Sequence, residues 1–179
     1  MSRLAYIVAL CMLFAFGCQS RPTFRACPEG PSRVDYIMHA DTSFTEDERE
    51  DLLDAAQQWS EASCERHIRV QFDRPNAPRE WQAEANAGRR TLVRGTDTAP
   101  VSADGKRHDG GTSQDRMVVW LRPHARFARL ALHEFGHMLL DTDDHGPEGT
   151  VMVQDQSEGS DYITDADFAW CQRAGACSP

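Results

Sequence analysis

The sequence is poor in lysine and has no cluster of basic residues. Lys106 is the one lysine in 179 residues, and 28 acidic against 19 basic residues give a formal net charge of −9. The arginines are scattered along the chain rather than gathered in one segment. Because nucleic-acid binding needs a concentrated positive surface, we expect no nucleic-acid partner.

Patterns typical of membrane-spanning, fibrous and repeat proteins are also missing. The main apolar run, residues 4–16, is too short to cross about 30 Å of hydrocarbon. There is no internal repeat, coiled-coil heptad or low-complexity stretch, and no C-x-x-C pair of the kind that binds structural zinc. The composition therefore predicts one globular domain, and we expect a monomer.

Residues 1–17 have the features of a signal peptide, with Arg3 followed by the apolar run. The segment Ala15-Phe16-Gly17-Cys18 resembles a bacterial lipobox, which implies cleavage before Cys18 and lipidation of that cysteine. Gln19 behind it resembles lipoproteins sent to the outer membrane. We expect an extracytoplasmic protein whose only membrane contact is this anchor. The alternative is plain secretion, since Ala15 stands where leucine is usual.

Residues 18–33 are rich in proline and glycine and are predicted to be a tether to a domain at 34–179. Four further cysteines remain after the signal peptide and the lipidated cysteine are set aside. An even number outside the cytoplasm predicts two disulfides, for which sequence allows three pairings. We favour Cys27 with Cys64 and Cys171 with Cys177.

The most informative motif is the run His133-Glu134-Phe135-Gly136-His137. The apolar residues between Arg126 and Leu140 recur at helical spacing, and Pro123 precedes them, which predicts a helix that starts near Pro123. A helix puts residues four apart on one face, so both histidines can bind one zinc ion. Glu134 then lies close enough to take a proton from water without being a ligand.

The stretch HEFGHMLLDTDDHGPEGTVM at 133–152 resembles the metzincin clan of zinc peptidases, whose pattern is HExxHxxGxxH or HExxHxxGxxD followed by a methionine-containing turn. His133, Glu134 and His137 match that pattern, and Met152 resembles the methionine of the Met-turn. The resemblance covers residues 123–152. It implies one catalytic zinc and an endopeptidase that cleaves peptide or protein substrates by zinc-activated water, with Glu134 as general base.

Two positions depart from the metzincin pattern. Leu140 stands where the family has a glycine that lets the chain turn, and Asp143 stands where the third ligand usually lies. We favour His145 as third ligand, because imidazole is the commonest metal ligand and Gly146-Pro147 supplies a turn. Asp143 is the alternative, and a glutamate from the gluzincin arrangement, Glu148 or Glu158, is a further one.

These departures motivate an alternative function, a catalytically inactive zinc-binding lipoprotein that recognises peptides. Residues 95–115 are predicted to form a long exposed loop. Asp104, Asp109 and Asp115 in that loop are candidate calcium ligands and His108 a candidate for a second metal site. Calcium loops have tighter spacing, so a solvated loop is the favoured interpretation.

The expected fold is α+β and zincin-like or metzincin-like. It has a twisted mixed sheet packed on an N-terminal helix and on the helix of the HExxH motif, followed by a small irregular C-terminal part that ends in a helix. A capping box at Thr45 to Glu48 predicts the start of the first helix, and a similar pattern at Thr164 predicts the start of the last. The predicted strands are 34–39, 68–72, 91–94 and 117–121, and a short helix is predicted at 78–87.

Overall fold

A computed structural model describes residues 34–63, 66–74, 81–95, 108–154, 159–175 and 177. The predicted signal peptide, the lipidation site Cys18 and the tether lie outside these residues. So do Cys27, Cys64, Asp104 and Glu158. Within the described ranges, no helix combines the length and apolar character that a membrane crossing requires.

The centre of the fold is a five-stranded mixed sheet, which confirms the predicted α+β class. Its strands are β1 (Val34–Asp41), β2 (Arg66–Arg74), β3 (Arg90–Arg94), β4 (Gly110–Thr112) and β5 (Val118–Leu121). Their order across the sheet is β2-β1-β3-β5-β4. The first four of these in spatial order run parallel, and β4 pairs antiparallel with β5 at the edge.

Four helices surround the sheet in the described part of the chain: α1 (Glu46–Ser63), α2 (Trp81–Asn86), α3 (Phe127–Leu140) and α4 (Asp165–Arg173). The predicted capping box starts α1, since the Glu48 amide donates to Thr45 Oγ1 at 3.3 Å and the Thr45 amide donates to Glu48 Oε2 at 2.8 Å. A second capping box joins Thr164 and Asp167 at the start of α4. Both helix starts are therefore set by local sequence.

The main core lies between α1, α3 and one face of the sheet. The sheet contributes alternate residues to it, among them Met38, Leu92 and Val119, while Val93 and Val118 point to the opposite face and meet Ala85 of α2. Trp59 of α1 is fully buried, and its indole N–H donates to the carbonyl of Leu132 in α3 at 2.7 Å. This packing fixes α3 against the rest of the domain.

Helix α3 begins later than its sequence predicts. Its first residue is Phe127 and its N-cap is Arg126, whose side chain makes no capping hydrogen bond. Pro123 lies in the irregular segment before it, so the prediction that Pro123 starts the helix was wrong. Its expected buried stripe is largely present, because Leu132, Phe135 and Leu139 are buried.

One strand lies where a loop was predicted. Gly110–Thr112 form β4 within the segment 95–115, and this edge strand runs beside α3. A Cβ atom at Gly110 would lie 2.8 Å from Leu130 Cδ1 and 3.2 Å from Glu134 Cγ. A three-residue strand made of two glycines and a threonine carries too little apolar pattern to be recognised from sequence, yet Gly110 permits its close approach to α3.

The C-terminal part is held together by a disulfide. Cys171, in α4, pairs with Cys177, with their Cα atoms 5.2 Å apart. Both residues are buried. This confirms one of the two predicted disulfides.

Candidate metal centre

The two histidines of the HExxH motif lie on the same face of α3, in its buried middle. His133 and His137 are only 5% and 8% exposed. Their Nε2 atoms are 3.0 Å apart. The four-residue spacing read from the sequence therefore does bring the two imidazoles together.

Backbone carbonyls fix the orientation of both rings. His133 Nδ1 lies 2.9 Å from the carbonyl oxygen of Val151, and His137 Nδ1 lies 2.8 Å from that of Thr142. Because a carbonyl oxygen only accepts, each Nδ1 must carry the proton, so a neutral ring presents an Nε2 lone pair. Two lone pairs that face each other across 3.0 Å are suited to a shared cation, and carbonyl partners of this kind are usual for metal-binding histidines.

His145 completes a group of three imidazoles. Its ring centroid lies 5.3 Å from that of His133 and 5.1 Å from that of His137. One nitrogen from each of the three rings can be chosen such that all three lie within 4.8 Å of one another. Within the described ranges, this is the group of histidines, cysteines and carboxylates that could hold a metal ion.

Neither of the described alternative third ligands, Asp143 and Glu148, belongs to the three-histidine group. Asp143 Oδ1 lies 2.8 Å from Arg116 Nη1, and this hydrogen bond lowers the pKa of Asp143. Glu148 is exposed and does not belong to the three-histidine group. The structure thus gathers His145, rather than Asp143 or Glu148, beside the two helix histidines.

The donor set suits a divalent transition metal such as zinc. Burial is the main cause that lowers the pKa of each of the three histidines, that of His133 to about 3. The rings are therefore neutral at neutral pH, which is the form that binds metal. A tetrahedral zinc with Zn–N bonds of about 2.0 to 2.1 Å holds its nitrogens about 3.3 Å apart, close to the observed separation of the His133 and His137 nitrogens.

Glu134 is buried next to the first histidine and is held from the edge strand. The hydroxyl of Thr112 in β4 lies 2.8 Å from Glu134 Oε2 and 3.0 Å from the Glu134 carbonyl oxygen. Burial raises the pKa of Glu134 to about 7, although the Thr112 hydrogen bond and the Arg116 charge lower it. A carboxyl group with such a pKa can both accept and return a proton near neutral pH.

Met152 lies against the histidine-bearing helix. It is fully buried, and a Cβ atom added to Gly136 would overlap its Sδ and lie 2.8 Å from Trp59 Cζ2. The glycine between Glu134 and His137 in the motif therefore leaves the space that Met152 fills. Met152 therefore packs against α3 as an apolar side chain, and its assignment as a Met-turn residue stays a prediction.

The chain leaves α3 one residue after the position of the family glycine. Leu140 is the last helical residue and is buried, and Asp141 adopts the left-handed conformation with φ 53° and ψ 44°. Aspartate tolerates this conformation better than most residues. The helix therefore ends at Leu140, and His145 lies five residues beyond its last residue.

Three residues near the centre were not singled out from sequence: Thr112, Arg116 and Asp167. Asp167 is fully buried and accepts from the Val151 amide at 3.0 and 3.2 Å, while the Val151 carbonyl faces His133. Its capping pattern with Thr164 was recognised, but its contact with Val151 depends on tertiary structure. Thr112 and Arg116 lie in or beside the edge strand that sequence did not reveal.

The candidate calcium ligands do not form a cluster in the described residues. Asp109 lies 3.5 Å from Arg122 Nη1 and 3.3 Å from His124 Nε2. Asp115 accepts from the Ser113 hydroxyl at 2.5 Å. Each carboxylate therefore has partners within the protein.

Comparison with known proteins does not assign the chain to a family. No protein-family model matches the chain, and a search of curated proteins also finds no match.

Proposed function

We propose that the protein is a zinc-dependent endopeptidase of the metzincin type. The observation that carries this proposal is the convergence of His133, His137 and His145 next to the buried carboxyl group of Glu134. Three imidazoles leave a fourth position on a tetrahedral metal for water or substrate. A protonatable carboxyl group beside them supplies the second requirement of amide hydrolysis, a proton carrier.

The chain and its metal would divide the chemistry between them. When bound, zinc acts as a Lewis acid that lowers the pKa of water and polarises the amide carbonyl. Glu134 accepts the proton of the attacking water and returns it to the nitrogen of the departing amine. Thr112 orients the Glu134 carboxyl group through its hydroxyl, so that one oxygen is kept in a fixed direction.

Strand β4 is the element that we propose for substrate binding. It ends the five-stranded sheet and also carries Thr112, which contacts Glu134. An extended peptide can pair with an edge strand through main-chain hydrogen bonds. A substrate on β4 would thereby run close to the three-histidine group.

We also propose that the enzyme works outside the cytoplasm, anchored to a bacterial membrane by a lipid on Cys18. The lipobox-like segment motivates the anchor, and plain secretion is the alternative. The disulfide between Cys171 and Cys177 supports an oxidising compartment, because such bonds are rare in the cytosol. The expected substrates are therefore extracytoplasmic proteins or peptides.

The test combines zinc content with turnover of a peptide library by the purified protein. We expect about one zinc per molecule in the wild type and in Glu134→Gln, with turnover about 10²- to 10⁴-fold lower in the variant because the proton carrier is lost. His137→Ala should lose both zinc and turnover.

Each contrary result removes a different part of the proposal. A wild type that binds zinc but cleaves no peptide would favour the inactive peptide-recognition lipoprotein. Equal turnover by Glu134→Gln and wild type would exclude Glu134 as general base. A wild type that retains no zinc at neutral pH would exclude the metal centre.

A further inference from the structure

The turn at residues 141–145 supplies two parts of the metal centre. The Thr142 carbonyl oxygen fixes the His137 ring at 2.8 Å from Nδ1, and His145 provides the third imidazole. Most of this turn is exposed: the side chains of Asp141 and Asp143 are 78% and 73% exposed. Burial therefore does little to hold it, and another interaction must.

Arg116 contacts the two aspartates of this turn. Its Nη1 lies 2.8 Å from Asp143 Oδ1 and its Nε lies 3.4 Å from Asp141 Oδ1. These two aspartates stand on either side of Thr142. The Asp143 contact is a hydrogen bond, whereas Nε makes no hydrogen bond and attracts Asp141 through charge alone. A guanidinium group placed between the two carboxylates can still set the direction of the carbonyl between them.

The arginine itself is held rigidly. It is only 8% exposed, although arginine is rarely buried without a role. Its backbone has a φ of 58°, in the left-handed region that non-glycine residues avoid. Its amide donates to the Ser113 carbonyl at 2.8 Å, and its Nη1 donates to the same oxygen at 3.3 Å. The tight connection between β4 and β5 thus aims the guanidinium group at the 141–145 turn.

The other end of the turn has its own anchor. The Gly146 amide donates to the Met152 carbonyl at 2.7 Å, and Gly146 bridges to Val153. His145 therefore lies between two fixed points, the Arg116 contact with Asp143 and the backbone contact of Gly146.

We propose that Arg116 is a positioning residue for the metal centre, which holds the Thr142 carbonyl and His145 in place through Asp141 and Asp143. The inference rests on the proposed function in one respect, that the three histidines bind zinc. It assigns to Asp143 the role of a partner for Arg116, where the metzincin pattern would have it bind the metal.

The test is placed on Asp143, because it is exposed and its substitution spares the buried arginine. Asp143→Asn removes the charged partner of Arg116. Asp144→Asn is the matched control: Asp144 has the same charge in the same turn, affects the pKa of His145 as Asp143 does, and does not pair with Arg116 in the described structure. An effect that acts only through the charge near His145 should therefore appear in both variants.

The measurement is the Zn²⁺ affinity of the purified protein by chelator competition, with the visible spectrum of bound Co²⁺ as a second readout. Asp143→Asn should bind Zn²⁺ about 10- to 100-fold more weakly than wild type, as expected for loss of a residue that orients ligands. Asp144→Asn should stay close to wild type. The Co²⁺ spectrum should change in Asp143→Asn alone, because the direction of an imidazole ligand changes.

Two results would overturn the inference. If wild type binds Zn²⁺ and both variants bind equally well, Arg116 does not position the ligands, while the proposed function stands. If wild type binds no Zn²⁺, the proposed function fails and this inference fails with it. Thermal unfolding of the metal-free variants serves to separate a local effect from a loss of fold.

Discussion

Helix α3 and the turn at 141–145 both carry histidines of the candidate metal centre, but they are held by different forces. In the helix, His133 and His137 are buried, and backbone periodicity sets their separation. In the turn, His145 is exposed, and its position depends on Arg116 and on the Gly146 amide. Local structure thus positions two of the imidazoles, and tertiary contacts position the third.

The largest expected effect comes from removing one ligand from each region. His137→Ala should abolish stoichiometric zinc binding, because it removes a ligand from the rigid pair. His145→Ala should leave weak binding by the remaining two imidazoles. Zinc titration of both variants checks this order. Tighter zinc binding by His137→Ala than by His145→Ala would contradict it.

The next effect concerns the packing beneath the helix. Gly136→Ala places a methyl group on Met152 Sδ and 2.8 Å from Trp59, so we expect unfolding free energy to fall by about 1 to 3 kcal/mol from overpacking. Helix propensity alone would change it by about 1 kcal/mol in the opposite direction. A denaturant titration of the metal-free protein gives the sign of the change in unfolding free energy. A stabilised variant would show that the contact between Met152 and Gly136 does not limit the size of residue 136.

Glu134 combines the two modes of support, since it lies on the helix but is oriented from β4. Thr112→Val should reduce kcat by about tenfold, the scale of one hydrogen bond of about 1.4 kcal/mol. KM and zinc content should stay near wild type. Thr112→Ser keeps the hydroxyl and should restore most of kcat, so a serine variant as slow as the valine variant would contradict the positioning role.

The smallest effect is expected from an ion pair that contributes to the stability of the fold. Arg94 Nε and Nη2 lie 2.8 and 3.0 Å from the Glu48 carboxylate. Burial tends to raise the pKa of Glu48, but hydrogen bonds from Arg94 and Thr45 outweigh it and lower that pKa. The lowered pKa means that the ionised group adds stability above its unfolded pKa, which is lost as pH falls through the folded value.

Glu48→Gln should therefore destabilise the protein by about 1 kcal/mol at neutral pH, from loss of charged hydrogen bonds. The difference from wild type should shrink as the pH is lowered into the acid range. Zinc affinity should not change, since neither Glu48 nor Arg94 belongs to the three-histidine group. Unfolding titrations at several pH values check this, and a difference that grows toward acid pH would refute the sign.

The features that sequence predicts well are those set by near neighbours in the chain. The helical spacing of His133 and His137 and the two capping boxes at Thr45 and Thr164 all depend on residues three or four apart. These features needed no knowledge of the tertiary fold.

The features that sequence does not predict depend on distant residues or on weak local signals. Strand β4 is short and glycine-rich, so the sequence pattern favours a loop there and gives no sign of the contact between Thr112 and Glu134. The apolar spacing correctly runs to Leu140, but it does not reveal that Asp141, rather than a glycine, adopts the left-handed conformation after it. The ion pair of Arg116 with Asp143 joins two segments that are distant in the sequence, and no local sequence pattern predicts it.

The zinc-edge X-ray absorption spectrum of protein loaded with one equivalent of Zn²⁺ tests whether one metal ion binds imidazoles from both the helix and the turn. The account predicts three imidazole ligands at about 2.0 to 2.1 Å, and a decrease to two in His145→Ala. A wild-type spectrum with two imidazoles, or one that His145→Ala leaves unchanged, would contradict the proposal that the helix and the turn share one metal.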